Sequence, residues 1–129
     1  MINSNAFNYI NVLEKAADAS WTRNTVISNN IANVDTPNYK RQDVSFESYL
    51  ETAIHSNQVL DQAINNMDVS SITPSVYTDR GTLSYRLDGN NVDIDVEQAN
   101  LAENQIKYYT LLDSINQEFE RLKSVLNNI

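Results

Sequence analysis

The sequence predicts a mainly α-helical protein whose two long terminal helices pair as a coiled coil beside a less regular middle segment. Apolar residues recur at alternating four- and three-residue spacing in both the first and the last third of the chain, which is typical of helix seams. The 129 residues include only two glycines and two prolines, so few positions interrupt a helix. We expect one structural unit in three parts: an N-terminal helix and turn (1–43), an irregular middle (44–91) and a C-terminal helix (92–129).

The first helix is predicted from about Asn5 to Asn33. Its middle is weak, because Ser20 and Asn24 replace large apolar groups there. A helix of this kind depends on packing for its stability, so alone it should be only partly formed. The seam positions are Ala6, Ile10, Leu13, Ala17, Ser20, Asn24, Ile27 and Ile31, widened by Phe7, Val12, Ala16, Trp21 and Val26.

Residues 28–40 should end this helix and fix a change of direction. Pro37 disfavours the helical conformation at Thr36, so the helix should stop near Asp35. Pro37 and Asn38 suit the two central positions of a type II turn, the second of which needs a positive φ.

The middle segment is predicted to hold a short helix, a mobile loop and a β-hairpin. Five apolar residues at helical spacing indicate the short helix, and the polar stretch 56–75 indicates the loop. Residues 76–78 and 82–87 flank Asp79-Arg80-Gly81, which indicates the hairpin. The apolar residues of the short helix are Phe46, Tyr49, Leu50, Ala53 and Ile54.

The last third predicts the second long helix. Asp93 is its expected N-cap, and Asp95 and Glu97 fall in the first turn, where carboxylates suit the positive helix end. The seam keeps its spacing for four heptads with one polar interruption. Its positions are Leu101, Gln105, Tyr108, Leu112, Ile115, Phe119, Leu122, Leu126 and Ile129, flanked by Ala102, Ile106 and Tyr109.

Two helices of similar length can pair along these seams in a parallel or an antiparallel sense. Burial along one seam is small beside the entropy lost on ordering both helices, so we expect a marginal monomer that gains stability from neighbouring copies. The aromatic residues Trp21, Tyr108 and Tyr109 either pack between the two helices or contact another subunit.

The composition excludes several classes of function. The net charge is 9 − 17 = −8 without a basic patch, which disfavours nucleic acid and anionic lipid as partners. The chain has no cysteine, and His55 is its only histidine, so a His/Cys zinc site cannot be built. We therefore expect no enzymatic activity, no metal and no cofactor.

Two further patterns point to a soluble, non-catalytic chain. The acidic run from Asp88 to Glu97 does not fit a calcium loop, because Val92 stands at the third ligand position and the required glycine is missing. Capping and solvation explain these carboxylates better. The first residues lack a basic start and an apolar run, so we expect no cleavable signal peptide, and no stretch approaches the ~18 apolar residues of a membrane span.

The turn carries a resemblance. The run Asn29-Asn30-Ile31-Ala32-Asn33-x-x-Thr36-Pro37-x-Tyr39 resembles the N-terminal signature of bacterial flagellar axial proteins, the rod and hook group. That family usually has glycine where this chain has Asn38, a mild departure because asparagine also tolerates positive φ. Residues 88–93, followed by Glu97 and 101–104, resemble the C-terminal signature of the proximal rod type within the flagellar basal-body rod protein family. Other rod subunits tend to carry a Glu-Met-Val type run where this chain reads Glu97-Gln98-Ala99.

The resemblance implies a structural subunit of the flagellar proximal rod, part of the drive shaft for motility. It implies type III export without a cleaved signal, and helical assembly in the extracytoplasmic basal body with copies of itself, other rod proteins, the rod–MS-ring adaptor and the export apparatus. The expected family motif is Asn29, Asn30, Ile31, Asn33, Thr36, Pro37 and Tyr39. The expected helix seam and subunit interface is Ile10, Leu13, Ala17, Trp21, Ile27, Leu101, Tyr108, Leu112, Ile115, Phe119, Leu122 and Leu126.

Two alternatives share the helical seams. One is a soluble helical adaptor or export chaperone with a coiled-coil groove, which has no need of the asparagine-rich turn. The other is a different rod- or hook-type axial subunit.

Overall fold

The computed structural model describes residues 5–55, 59–81 and 86–128, and it is mainly helical. The two long terminal helices and the short helix after residue 46 are confirmed. The elements are α1 (Asn5–Ala32), β1 (Gln42–Ser45), α2 (Glu47–His55), α3 (Leu60–Asn66), a 3-10 turn (Val69–Ser71), β2 (Ser75–Thr78) and α4 (Ile94–Asn127).

Helices α1 and α4 pair in the antiparallel sense. Ser20 of α1 contacts Asn104 of α4, whereas Asn30, ten residues later on α1, contacts Glu97, seven residues earlier on α4. Rising numbers on one helix therefore meet falling numbers on the other.

The ends of the long helices follow the sequence signals. The Asp93 side chain accepts hydrogen bonds from the backbone N–H groups of Asp95 and Val96, so it is the N-cap of α4. Helix α1 ends at Ala32, and the backbone N–H of Tyr39 donates to the carbonyl of Thr36 at 3.2 Å. Asn38, between them, has a φ of 61°. The predicted type II turn is confirmed.

The small sheet differs from the predicted hairpin. Strand β2 lies where the sequence predicts a strand, but it pairs with β1, antiparallel, from Gln42 opposite Thr78 to Ser45 opposite Ser75. The expected second strand of the hairpin falls largely on residues 82–85, which lie outside the described residues. The pairing with β1 was missed because a four-residue polar strand carries almost no pattern.

The prediction of a loop over residues 56–75 is wrong for the described part, 59–75, which contains α3 and the 3-10 turn. Ala63 and Ile64 are buried. Asp61 accepts a hydrogen bond from the Tyr9 hydroxyl of α1 at 2.5 Å. Four scattered apolar residues make this stretch too polar to predict a helix, but tertiary contact with α1 stabilises one short helix there.

The middle segment covers one side of the helix pair. A cluster of Ala19, Phe46 and Ile72 is buried between α1 and the elements that follow it. Partly buried apolar side chains surround this cluster: Ala16, Val44, Leu50 and Met67. The core is therefore placed on one flank of α1, and it leaves the opposite flank uncovered.

Candidate assembly surface

Asn30 connects four parts of the chain from a fully buried position at the end of α1. Its side-chain N–H group donates to the carbonyl of Gln42 at 2.7 Å and to Glu97 at 3.0 Å. Its side-chain oxygen accepts from the backbone N–H of Gln42 at 2.9 Å and from the hydroxyl of Tyr39 at 3.2 Å. The asparagine-rich turn is thus tied to β1 and to α4 through one amide.

The other turn residues have local or surface roles. Asn33 donates to the carbonyl of Asn29 and accepts from the hydroxyl of Thr36. Ile31 is half-buried, and Pro37 is exposed. These residues hold the shape of the turn, while the exposed side chains of Asn29, Thr36 and Pro37 face solvent in the single chain.

The loop before α4 is hydrogen-bonded to the same turn and packs closely against it. Asn90 is fully buried, and its side-chain N–H group lies 2.9–3.0 Å from the carbonyl oxygens of Asn33, Val34 and Thr36. Gly89 has a φ of +75°, and a Cβ added there would lie 2.7 Å from the side-chain oxygen of Asn38. Only glycine fits both requirements. Asn90 was not among the predicted site residues, although it lies within the motif that carries the resemblance.

A buried ion-pair network lies next to Asn30. The Arg41 guanidinium contacts Glu97 at 2.7 Å, Asp79 at 2.6 Å and Asp43 at 3.0 Å, and Asp43 also contacts Arg23 at 2.8 Å. The Glu97 side chain is only 1% exposed. This network joins α1, both strands and α4, and it was not predicted from the sequence.

The network shifts the pKa values of its members. Burial alone would lower the pKa of Arg41, but its hydrogen bonds to Glu97 and Asp79 raise that pKa above the ordinary value. Burial alone would raise the pKa of Asp43, but the hydrogen bonds from Arg23, Val44 and Arg41 hold it below the ordinary value. The pKa of Asp79 is lowered first by the backbone N–H of Gly81 and then by Arg41. All three groups are charged at neutral pH.

Glu97 corrects one sequence interpretation. Solvation cannot explain this carboxylate, because it is buried and accepts from both Arg41 and Asn30. Its position in the first helical turn is as predicted. Hydropathy predicts a solvent-exposed position for a glutamate whose cationic partner is unknown. The sequence does not reveal this partner, because Arg41 lies 56 residues earlier in the chain.

A polar layer crosses the middle of the helix pair. The Ser20 hydroxyl donates to the side-chain oxygen of Asn104 at 3.0 Å, and the Asn104 side-chain N–H group donates to the carbonyl of Ser20 at 2.7 Å. Both residues are buried, and Asn24 lies 3.5 Å from the same N–H group. The weak middle of the predicted α1 seam is therefore matched by a polar residue of α4.

The residues predicted for the α1 seam lie partly in the interior of the single chain. Ile10, Ala17 and Ile27 are buried, and Leu13 is half-buried. Trp21 is 59% exposed and lies at the edge of the contact between α1 and α4. Its ring centroid is 5.7 Å from that of Tyr108, which is itself 5.9 Å from that of Tyr109. Tyr108 is half-buried and Tyr109 is 68% exposed, so this aromatic group lies at the edge of the helix pair.

The residues predicted for the α4 seam differ in exposure. Leu101, Tyr108, Ile115 and Leu122 are half-buried, as is Leu112. In the single chain, however, Asn104 takes the buried place predicted for Gln105, and Phe119 and Leu126 are exposed. The predicted seam combines two neighbouring columns of residues, each at seven-residue spacing. Helix α4 is rotated so that the column of Phe119 and Leu126 turns away from α1, and the column that contains Asn104 faces α1 instead.

These exposed residues form a surface that we call the open face: Phe7 and Trp21 of α1 with Tyr109, Phe119 and Leu126 of α4, all about half exposed or more. Phe7 and Trp21 lie two heptads apart, and Phe119 and Leu126 lie one heptad apart, so each set shares one side of its helix. The middle segment packs on the other side of α1, at Ala16 and Ala19.

The covered side holds a groove of about 670 Å³ between the helix pair and the β1–α2 region. Ala19, Phe46 and Leu111 are part of its lining, and Lys107 of α4 pairs with Glu47 of α2 across it. Burial lowers the pKa of Lys107, and the nearby charge of Arg23 lowers it further. Within the described residues, no group of three His, Cys, Asp or Glu side chains could hold a metal ion. No helix in the described ranges is long and apolar enough to cross a bilayer.

Comparison with known proteins places these features in a family. The family model described as flagella basal body rod protein matches residues 10–40, which cover most of α1 and the turn. The chain is 41% identical to the flagellar basal body rod protein FlgB of Bacillus subtilis over 116 residues, 88% of this chain and 89% of that protein. It is 34% identical to FlgB of Borrelia hermsii over 127 residues, 91% of this chain and 94% of that protein. It is 36% identical to FlgB of Borreliella burgdorferi over 120 residues, 84% of this chain and 88% of that protein.

Proposed function

The chain belongs to the flagellar basal body rod protein family, as a structural rod subunit, and we propose that it takes its place in the proximal rod by folding as it assembles. The rod is part of the flagellar basal body, so that is where this subunit works.

One observation carries the proposal: the open face. Five large apolar side chains of the two terminal helices stand half exposed or more on one flank, while the middle segment covers the other flank. Exposed apolar surface of this extent in a soluble chain marks an interaction site. A rod subunit whose helices are covered on one side only is suited to be covered on the other side by its neighbours.

Folding and assembly are coupled in this proposal. The buried apolar side chains of the described residues are few for two such long helices, and Phe46 is the only aromatic among them, so we infer that much of the stability of α1 and α4 depends on burial of the open face. In the exported chain the helices remain partly disordered, and they order when neighbours cover them. The delay prevents filaments from forming before export.

The proposed route and partners rest on membership in the rod protein family. We propose export through the type III apparatus without a cleaved signal, and an extracytoplasmic location within the envelope-spanning rod. The proposed partners are copies of this chain, other rod proteins and the rod–MS-ring adaptor. We propose no catalytic role for the subunit, because among the described residues every buried side-chain nitrogen and oxygen already has a hydrogen-bond partner.

Two measurements test the proposal. Circular dichroism of the dilute chain should show weak helicity, and a fully helical, cooperative monomer at micromolar concentration would contradict coupled folding. In cells, the double variant Trp21→Ser/Phe119→Ser should be exported but lost from purified basal bodies. Tyr77→Ser is the matched control, because Tyr77 is an exposed aromatic of β2 away from the open face, and it should be retained. Equal recovery of both variants would refute assembly through this surface.

A further inference from the structure

The charges along the edges of the open face restrict what can cover it. Glu14 lies between Phe7 and Trp21 at seven-residue spacing, and Asp18 precedes Trp21 by three residues, so both border the α1 side. On α4, Asp113 follows Tyr109 by four residues, and Glu120 follows Phe119 directly. All four carboxylates are exposed, and the structure gives them no ion pair among the described residues.

Cations along these edges are fewer. Lys123 follows Phe119 by four residues and is exposed, and Lys15 lies one step further round α1. Lys107 and Arg121 are already paired, with Glu47 and Glu118. The border therefore carries 2 − 4 = −2 in a chain whose net charge is −8.

The apolar area is large enough for a stable contact. Trp21, Tyr109, Phe119 and Phe7 are 59%, 68%, 49% and 50% exposed. At roughly 200 Å² per aromatic side chain, these four expose on the order of 450 Å². The aliphatic residues beside them extend the patch towards the ~800 Å² per partner of a standard interface.

We propose that the open face receives an amphipathic helix of a different protein, one whose apolar stripe is edged by lysine or arginine, rather than the open face of a second copy. This rests on the proposed function, since it names the kind of partner that the assembly surface takes. Two copies joined face to face would oppose eight carboxylates to four ammonium groups, and like charges across an interface cost affinity. A basic-edged helix would instead pair with Glu14, Asp18, Asp113 and Glu120 while it covers the aromatic side chains.

The test uses the full chain and two synthetic helical peptides of about four heptads. The peptides share one leucine–isoleucine stripe and differ only at the edges, which carry lysine in one and glutamate in the other. Trp21 is the only tryptophan and stands on the open face, so a blue shift of its emission reports coverage. We expect the lysine peptide to bind at least about tenfold more tightly than the glutamate peptide, and to weaken several-fold between roughly 50 and 500 mM NaCl.

Charge reversal on the chain provides the control. The variant Asp113→Lys/Glu120→Lys should lose about tenfold in affinity for the lysine peptide and gain affinity for the glutamate peptide. Asp35→Lys/Glu103→Lys makes the same change in net charge at exposed positions, one in the turn and one on the side of α4 that turns away from Tyr109 and Phe119, and it should keep the original preference.

Three outcomes would overturn the inference. One is equal binding of both peptides, another is an equal effect of the two double variants, and the third is a dimer of the chain alone, seen by sedimentation velocity, that buries Trp21. None of these would touch the rod assignment, which the basal-body recovery of Trp21→Ser/Phe119→Ser tests separately.

Discussion

Replacement of Arg41 by methionine should destabilise the folded chain more than any other single change in the polar network. Methionine approximates the length of the arginine side chain but offers no donor. The change would leave the buried Glu97 without its cation, and it would remove the bond to Asp79. Asp43 would keep Arg23 as a partner.

The structure sets the expected size of the effect. The Arg41 side chain is 13% exposed and that of Glu97 only 1%. Removal of one partner from a buried pair typically costs about 3–5 kcal/mol, because the remaining charge is left in a poorly solvated site. The second change, Glu97→Gln, removes that charge, so the double variant should recover about half of the loss or more.

The assay must allow for a marginal monomer. Trimethylamine N-oxide favours compact states because it is excluded from protein surface, so it can drive the chain to its folded, helical form. The free energy of folding is then obtained from helicity at 222 nm as a function of osmolyte concentration, in the manner of a denaturant titration. Arg121→Met is the matched control, since Arg121 pairs with Glu118 but is 76% exposed, and it should cost less than about 1 kcal/mol.

Either of two results would contradict this role of the Arg41–Glu97 pair. One is a loss of folding free energy for Arg41→Met that differs from the loss for Arg121→Met by less than about 1 kcal/mol, because exposed ion pairs contribute no more than that. The other is a double variant, Arg41→Met/Glu97→Gln, that is no more stable than Arg41→Met alone. The second result would mean that the buried charge of Glu97 is not what makes the loss large.

Three further predictions use the same titration. The pKa values of Asp43 and Asp79 are lowered in the folded state. Their contribution to the free energy of folding is therefore present above the ordinary carboxyl pKa and is lost as the pH falls through the lowered values. Stability should drop below about pH 4, and the drop should be smaller in Asp43→Asn. Gly89→Ala should cost about 1–3 kcal/mol of stability, because the φ of Gly89 is +75° and an added Cβ would clash with Asn38. Gly81→Ala should cost less, because no positive φ is required there and the added Cβ would lie 3.3 Å from its nearest neighbour. Asn104→Ala should cost about 1–3 kcal/mol by leaving buried polar groups of α1 without partners, and a neutral effect would contradict the polar layer.

Some of this fold was accessible from the sequence because its signals are local. Asp93 caps α4 because its own side chain reaches the backbone N–H groups two and three residues further on. Pro37 and Asn38 fix the turn through their own backbone preferences. Such signals need no knowledge of distant residues, and each of these elements formed where the local chemistry places it.

Other features were missed because their partners are distant in the chain. The helix α3 is too short and too polar to be predicted alone, and it forms where Ala63 and Ile64 can be buried. The ion-pair network joins residues as far apart as Arg41 and Glu97. No periodicity marks a residue whose role depends on a charge 56 positions away.

The shifted α4 seam has a physical cause in the polar layer. Hydropathy favours burial of the column that contains Phe119 and Leu126, yet Asn104 and Glu97 are the fully buried residues of α4. Ser20 and Asn30 on α1 would be buried without partners if α4 turned its more apolar column inward, and an unsatisfied buried polar group costs about 1–3 kcal/mol. A polar residue in a helix seam can fix register in this way. The same contacts turn the column of Phe119 and Leu126 away from α1, and the antiparallel pairing also places Leu126 beyond the level of Asn5, where the described α1 begins, so both the polar layer and the end of the helix pair contribute to the exposure of these two residues.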